Sequence, residues 1–114
     1  MGVEVRKPED AAKLTGTSAE FKAFVVKSAL SIERPDAPNC GGITVQKYDP
    51  AGFAIGGVDE CGGYAAIWGK KDGRWKELIG TQDAWSCTEL HKFGVPPTIV
   101  DKCVSGNVQR SYTG

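Results

Sequence analysis

The stretch 61–80, CGGYAAIWGKKDGRWKELIG, constrains the fold more than any other part of the chain. Its residues alternate as in two β-strands, and Lys70-Lys71-Asp72-Gly73 between them is a turn signal, because Asp and Gly tolerate a positive φ. The stretch therefore predicts a β-hairpin. The alternation places Tyr64, Ala66 and Trp68 on one face of the first strand, and Trp75, Glu77 and Ile79 on one face of the second.

A similar hairpin precedes it. Cys40-Gly41-Gly42 leads into a strand over 43–48, the sequence Asp49-Pro50-Ala51-Gly52 predicts a turn, and a second strand returns over 53–58. Two copies are too few for a solenoid, which needs about three or more repeats. Two consecutive hairpins instead predict a four-stranded antiparallel meander.

Residues 17–32 carry the strongest helical pattern. Thr17 and Glu20 have the spacing of a capping box. The positions that follow form one apolar or small stripe that can lie on a sheet. This stripe consists of Phe21, Phe24, Val25, Ser28, Ala29 and Ile32.

The C-terminal part predicts a second, shorter helix. Ser86 and Glu89 form another capping box, and Gly94 is placed to end the helix. We therefore expect an α+β fold, with a long N-terminal helix packed on the four-stranded meander and a short C-terminal helix. We expect a single domain over 1–114, with its core at about 8–104 and a flexible polar tail over 105–114.

The four cysteines favour two disulfides in an oxidising compartment. Strand geometry brings Cys40 and Cys61 to the same end of the meander, while Cys87 and Cys103 flank the C-terminal helix. We therefore prefer the pairs Cys40–Cys61 and Cys87–Cys103 over the other two connectivities. A zinc site and four buried free thiols remain the alternatives.

Composition disfavours several classes of protein. The formal net charge is zero and no Lys/Arg run exceeds two residues, which argues against nucleic-acid binding. No apolar run reaches the ~20 residues of a membrane span. Residues 1–10 lack the apolar segment of a signal peptide. If the protein is exported, we expect Met1-Gly2 to begin a recombinant mature chain from which the signal segment is absent.

The residues that could support catalysis are few. His91 is the only histidine and is expected at the surface. Asp59 and Glu60 are adjacent in a turn, so their side chains point apart. Glu77 is an acid inside a strand, where burial could raise its pKa. No phosphate-binding, zinc-protease or nucleophile-elbow motif occurs, and we expect no catalytic residue, metal or cofactor.

The loop after the last predicted strand is the candidate binding site. It places Gln82 and Asp83 beside Trp85, a mixture of polar and aromatic groups that is typical of binding sites. Trp68, on a strand of the predicted meander, could add a second aromatic surface to this site. The alternative is that Trp68 and Trp85 fill the core.

The C-terminal half, DGRWKELIGTQDAWSCTELHKFGVPPTIVDKC, resembles small exported or lipid-anchored proteins of actinobacteria, most of unassigned function. The resemblance lies in Trp75, Cys87, Leu90, Val95-Pro96 and Cys103. It implies export and supports the Cys87–Cys103 pair. The helix-on-meander order is also similar to cystatin-like and NTF2-like folds, an analogy of fold that implies no function.

From these observations we expect a monomeric, exported, non-catalytic module of the cell envelope that binds a protein or a glycan. One alternative is a small NTF2-like enzyme with Glu77 or Asp83 in its pocket. Another is an inhibitor that presents the loop Gly94–Thr98.

Overall fold

The computed structural model describes residues 2–32 and 41–114 of the chain. It contains helices and strands in one mixed architecture, so the predicted α+β class is confirmed. In chain order the elements are β1 (Val3–Val5), a 3₁₀ helix (Pro8–Lys13), α1 (Ala19–Ser31), β2 (Ile43–Asp49), β3 (Phe53–Asp59), β4 (Gly63–Lys71), β5 (Arg74–Thr81), α2 (Cys87–Phe93), β6 (Lys102–Ser105) and β7 (Val108–Ser111).

The main sheet has five antiparallel strands in the order β1-β2-β3-β4-β5, and the predicted count of four is wrong. The additional strand is β1, which pairs with β2 so that Val5 lies opposite Ile43. Val5 is fully buried, and its burial stabilises the edge strand. Three residues are too short to show an alternating pattern, which explains why the sequence does not reveal β1.

A β-bulge in β5 changes which side chains share a face. Trp68 pairs with Glu77 but its neighbour Ile67 pairs with Ile79, so Leu78 is the extra residue. An extra residue reverses the alternation beyond it. Trp75 and Glu77 therefore face α1, whereas Ile79 joins the opposite core, and the prediction that these three share a face is wrong.

The sheet is covered on both faces, which gives two cores. The first core lies between the sheet and α1, and the second lies between the sheet and the C-terminal segment that contains α2. The first contains Phe21, Val25, Ala29, Trp68 and Trp75, among others. The second contains Ile67, Ile79, Leu90, Val95, Ile99, Val100, Cys103 and Tyr112.

Helix α1 packs on the sheet through the predicted stripe. Phe21, Val25 and Ala29 are its buried residues. The cap differs from the prediction, because Ser18 rather than Thr17 accepts the backbone N–H of Phe21, at 3.1 Å. The Thr17 hydroxyl instead donates to the carbonyl of Leu14. The helix consequently begins at Ala19, later than expected.

The C-terminal segment is held by several kinds of contact. Ser86 caps α2 and Gly94 ends it with a φ of 66°, as predicted. The predicted Cys87–Cys103 disulfide is present, with an S–S distance of 2.00 Å. The 105–114 segment, expected to be a tail, contains strand β7, which pairs with β6. Beyond β7, Tyr112 is buried, and its hydroxyl donates to the carbonyls of Leu90 and Val95.

The predicted Cys40–Cys61 pair includes Cys40, which lies outside the described residues. That pair therefore stays a prediction. Within residues 2–32 and 41–114, no helix has the length and apolar character needed to cross a membrane.

Candidate binding cleft

A cavity of about 330 Å³ lies between α1 and the face of the sheet that α1 covers. Phe24, Ser28 and Ser31 reach it from α1, and Ile32 from the position that follows the helix. Its other walls come from β2 to β5 and the turn between β3 and β4. On the sheet side the polar lining residues are Glu60, Tyr64, Lys76 and Glu77, beside the indoles of Trp68 and Trp75.

Tyr64 and Glu77 form the central polar contact of this cavity. The Tyr64 hydroxyl donates to Oε1 of Glu77 at 2.7 Å. Gly80 leaves room for the arrangement, since a Cβ atom at that position would crowd it, at 3.0 Å from the Tyr64 ring and 3.3 Å from Oε2 of Glu77. The ring therefore lies against the bare backbone of β5. No group among the described residues donates a hydrogen bond to Oε2 of Glu77.

The electrostatics of the cavity keep Tyr64 protonated. Burial raises the pKa of the Tyr64 hydroxyl well above its usual value, and the hydrogen bond to Glu77 raises it further. The negative charges of Glu77 and Glu60 act in the same direction. Within residues 2–32 and 41–114, neither carboxylate takes part in an ion pair. Tyr64, protonated at neutral pH as any tyrosine is, therefore stays a hydrogen-bond donor to higher pH in a cavity lined by two carboxylates.

Trp75 contributes an unusual feature to the wall. Its Nε1–H is buried and has no hydrogen-bond partner within the part of the chain that is described. Buried donors without a partner are rare in folded proteins. The indole ring itself is fixed by Phe21, whose ring centroid lies 4.6 Å away, and by Tyr48 at 5.9 Å. The indole ring is therefore held in place in the wall, and its buried N–H has no partner among the described residues.

A second cavity, of about 420 Å³, shares Tyr64 and Glu77 with the first. Its walls come from Tyr64, Glu77, Gly80, Thr81 and Gln82. The Gln82 side chain is fixed by its Nε2, which donates to the carbonyl of Gly63 at 3.0 Å. Together the two cavities form a surface feature that we call the cleft, and Tyr64 and Glu77 belong to both parts of it.

The structure separates the residues of the predicted binding site. Gln82 lines the second cavity. Trp68 is only 1% exposed and belongs to the first core, so it presents almost no surface to a ligand. Trp85 is half-buried against the second core, and its carbonyl accepts the N–H of Val104. Asp83 is exposed in a turn that the Thr81 hydroxyl stabilises.

The other residues considered for chemistry lie elsewhere. His91 is exposed on α2, and its ring packs edge-on against Tyr112 with 5.2 Å between centroids. Val95 and Ile99 are buried in the second core, and the Thr98 hydroxyl donates to Asp49 at 2.6 Å. The Gly94–Thr98 segment is thus anchored to the body of the protein. In the described part of the chain, no group of three or more His, Cys, Asp or Glu is arranged to hold a metal ion.

The sequence indicates part of the cleft but misses its centre. Glu77 is recognisable as an acid within a strand that shares a face with Trp75. Tyr64 is not recognisable as its partner, because their contact is diagonal across β4 and β5 and depends on the bulge at Leu78. The sequence feature that points to this contact is Gly80. It has no side chain and lies on β5, the strand that pairs with the β4 strand of Tyr64.

The resemblance to exported actinobacterial proteins stays a hypothesis. No protein-family model, curated protein or solved structure matches this chain, so its function has to be inferred from its own residues and their geometry.

Proposed function

We propose that this protein is a non-catalytic binding module of the cell envelope and that the cleft binds a neutral saccharide. The observation that carries the proposal is the Tyr64–Glu77 contact. It fixes a carboxylate in the wall of a cavity while leaving Oε2 without a donor among the described residues. A fixed carboxylate oxygen is a strong acceptor for a ligand hydroxyl, because charge-assisted hydrogen bonds are about twice as strong as neutral ones.

The remaining lining groups favour a ligand with many hydroxyls. The Ser28 hydroxyl can donate and accept, and the Ser31 hydroxyl, which donates to the carbonyl of Ser28 at 2.7 Å, can still accept. Sugar hydroxyls match this mixture, since each of them can also donate and accept. The apolar groups between them, among them Ile32, suit the C–H faces of a sugar ring. The volume of about 330 Å³ lies within the range of about 300–1,000 Å³ for small-ligand sites.

The charges of the cleft favour a neutral saccharide over an anionic one. Glu60 and Glu77 line it together, and Lys76 is its only cation among the described lining residues. An anionic sugar would meet both carboxylates and be repelled by them. A protein partner that inserts one side chain is the competing occupant, and the experiment below distinguishes the two.

Catalysis is less well supported. Tyr64 holds its proton too tightly to act as a base at neutral pH. Asp83, the other acid considered for an NTF2-like enzyme, is exposed in a turn. An inhibitor would need a protruding loop, whereas the Gly94–Thr98 segment is anchored at Val95 and Thr98.

Export and the cell envelope belong to the same proposal. The Cys87–Cys103 disulfide is compatible with an oxidising compartment. We propose that Cys40 and Cys61 form the second disulfide of an exported monomer. Mass spectrometry of disulfide-linked peptides from protein that has never been reduced tests this pair. A peptide that links Cys61 to Cys87 or to Cys103 would contradict it.

The binding proposal is tested by NMR titration of ¹⁵N-labelled protein with a panel of neutral and anionic mono- and disaccharides. We expect neutral sugars to shift the amide signals of Tyr64, Glu77 and Ser28 and the indole N–H signal of Trp75. Glu77→Gln should weaken binding by at least about tenfold, because charged hydrogen bonds contribute about 1.5–3 kcal/mol.

The matched control is Glu89→Gln, which makes the same change at an exposed acid on α2. This variant should bind as the wild type does. The proposal is wrong if no neutral sugar shifts the cleft signals, or if Glu77→Gln and Glu89→Gln have equal effects. A basic or aromatic peptide that shifts these signals when sugars do not would make a protein the ligand.

A further inference from the structure

The two parts of the cleft are adjacent and share the same two side chains. Tyr64 and Glu77 line the cavity beside α1 and also the cavity at the end of β5. The volumes are about 330 and 420 Å³, so each one alone reaches the lower end of the range for ligand sites, about 300 Å³. A single small ring would fill only one of them.

Glu77 can serve both cavities because its two oxygens have different surroundings. Oε1 accepts the Tyr64 hydroxyl at 2.7 Å. Oε2 lies near Gly80, 3.3 Å from where a Cβ at that position would be, and Gly80 lines only the second of the two cavities. Oε2, which has no donor among the described residues, is therefore at the junction of the two cavities.

The second cavity has its own fixed polar groups. Gln82 donates its Nε2 to the Gly63 carbonyl, which leaves the amide Oε1 as an acceptor. The Thr81 hydroxyl accepts the N–H of Asp83, which holds the turn beside the cavity in place. These groups are arranged before any ligand arrives, and preorganised groups lose little entropy when they bind.

We propose that the cleft binds a linear, neutral oligosaccharide that spans both cavities, with one unit on each side of the Tyr64–Glu77 contact. This inference rests on the proposed saccharide function and adds the chain length of the ligand. Gly80 provides the connection, because the absence of a side chain keeps the junction open. Linked units that occupy two adjacent sites bind more tightly than either unit alone, since the second contact is intramolecular.

Isothermal titration calorimetry with two probe series tests the inference. The probes are N-acetylglucosamine and its β-1,4-linked dimer and trimer, and glucose with cellobiose and cellotriose. In at least one series we expect affinity to rise by at least about tenfold from monomer to trimer. Gly80→Ala and Gln82→Ala should each bring the trimer-to-monomer affinity ratio toward one, whereas Glu89→Gln should preserve it.

The outcomes separate the inference from the proposed function. If the cleft signals shift but affinity does not depend on the number of sugar units, the ligand is not an oligosaccharide. The proposal of a saccharide-binding module would then still stand. A trimer-to-monomer affinity ratio that stays high in both Gly80→Ala and Gln82→Ala would also overturn the oligosaccharide inference. No binding of either series would overturn the inference, and the saccharide function fails with it if no neutral sugar of the NMR panel shifts the cleft signals. Gln82 is exposed, so Gln82→Ala keeps the test valid if Gly80→Ala does not fold.

Discussion

The hydroxyl of Tyr64 and Oε1 of Glu77 lie 2.7 Å apart on two neighbouring antiparallel strands, although the residues are 13 positions apart in sequence. The contact is possible because Gly80 leaves space for the Tyr64 ring against β5. It fixes both side chains between two cavities. The chemistry that we propose for this protein depends on that arrangement.

The titration of Tyr64 reports directly on this contact. Its pKa is raised by burial and then by Glu77, so Tyr64 should stay protonated at a pH where an ordinary tyrosine ionises. Glu77→Gln removes the charge and should lower the pKa of Tyr64 toward its usual value. NMR of ¹³C-labelled tyrosine rings against pH measures the change. An unchanged Tyr64 titration in the variant would mean that the contact does not form in solution.

Phe21 should be the most sensitive position of α1. It is 0% exposed and packs on Trp75 and Tyr48. Phe21→Ala should lower the free energy of unfolding by about 3–5 kcal/mol, as is typical for an emptied phenylalanine site. Phe24, on the same stripe, is only half-buried, so Phe24→Ala should have a smaller effect. Urea unfolding of both variants tests the order, and equal losses would show that α1 packs differently.

The disulfide should stabilise the C-terminal segment. Cys87 and Cys103 are separated by 16 positions, and closing such a loop contributes about 3 kcal/mol in the chain-entropy model. The double variant Cys87→Ser/Cys103→Ser should therefore unfold at lower urea concentration. Alkylation of never-reduced wild-type protein is the accompanying check. Modification of either cysteine there would contradict the bond.

Asp10 should make stability depend on pH in the acid range. The backbone N–H of Arg6 and then Lys13 lower the pKa of its carboxyl from 3.8 to about 2. A lowered pKa stabilises the folded state above the unfolded pKa, and this contribution is lost as the pH falls from about 3.8 toward 2. Asp10→Ala should melt below the wild type at pH 7, and the difference should shrink toward pH 2. A difference that does not change with pH would exclude the carboxylate as its cause.

Gly56 should tolerate no side chain. A Cβ at this position would lie 1.8 Å from the carbonyl oxygen of Thr44 on the neighbouring strand. Gly56→Ala should therefore force the backbones of β2 and β3 apart and lower the melting temperature strongly. Gly62→Ala is the matched control, because no atom of residues 2–32 or 41–114 lies within 4 Å of a Cβ there. Similar melting temperatures for the two variants would contradict the close approach.

Local signals in the sequence account for the long helix, both hairpins and the capped C-terminal helix. Side-chain alternation and turn residues act within a few positions, so they are visible in any window of the chain. The edge strand β1 is not visible in this way, because three residues carry no pattern and their burial depends on β2. Strand β7 is exposed along its whole length and Val108 is its single apolar residue, so its pairing with β6 leaves no alternating hydrophobic signal.

The candidate site likewise combines residues that local sequence signals reveal with residues that only the fold brings together. Gln82 could be identified as a polar group at the end of the sheet and Glu77 as an acid within a strand, but Trp85 could not be placed from sequence. Trp85 packs against the second core, although the predicted site joined it to Gln82. A loop residue such as Trp85 can pack toward either face of a sheet. The position of α2 determines which face it contacts.

Periodicity and capping act locally, so they are enough to predict the α+β class and the apolar stripe of α1, and the cysteine positions favour the pairing of Cys87 with Cys103. The alignment of the strands supplies the remaining features. One extra residue at Leu78 moves Ile79 to the second core and leaves Glu77 on the side of α1. The bare backbone at Gly80 then lets Tyr64 reach Glu77. Both effects depend on how two strands are aligned with each other, and that alignment is set by packing across the whole sheet.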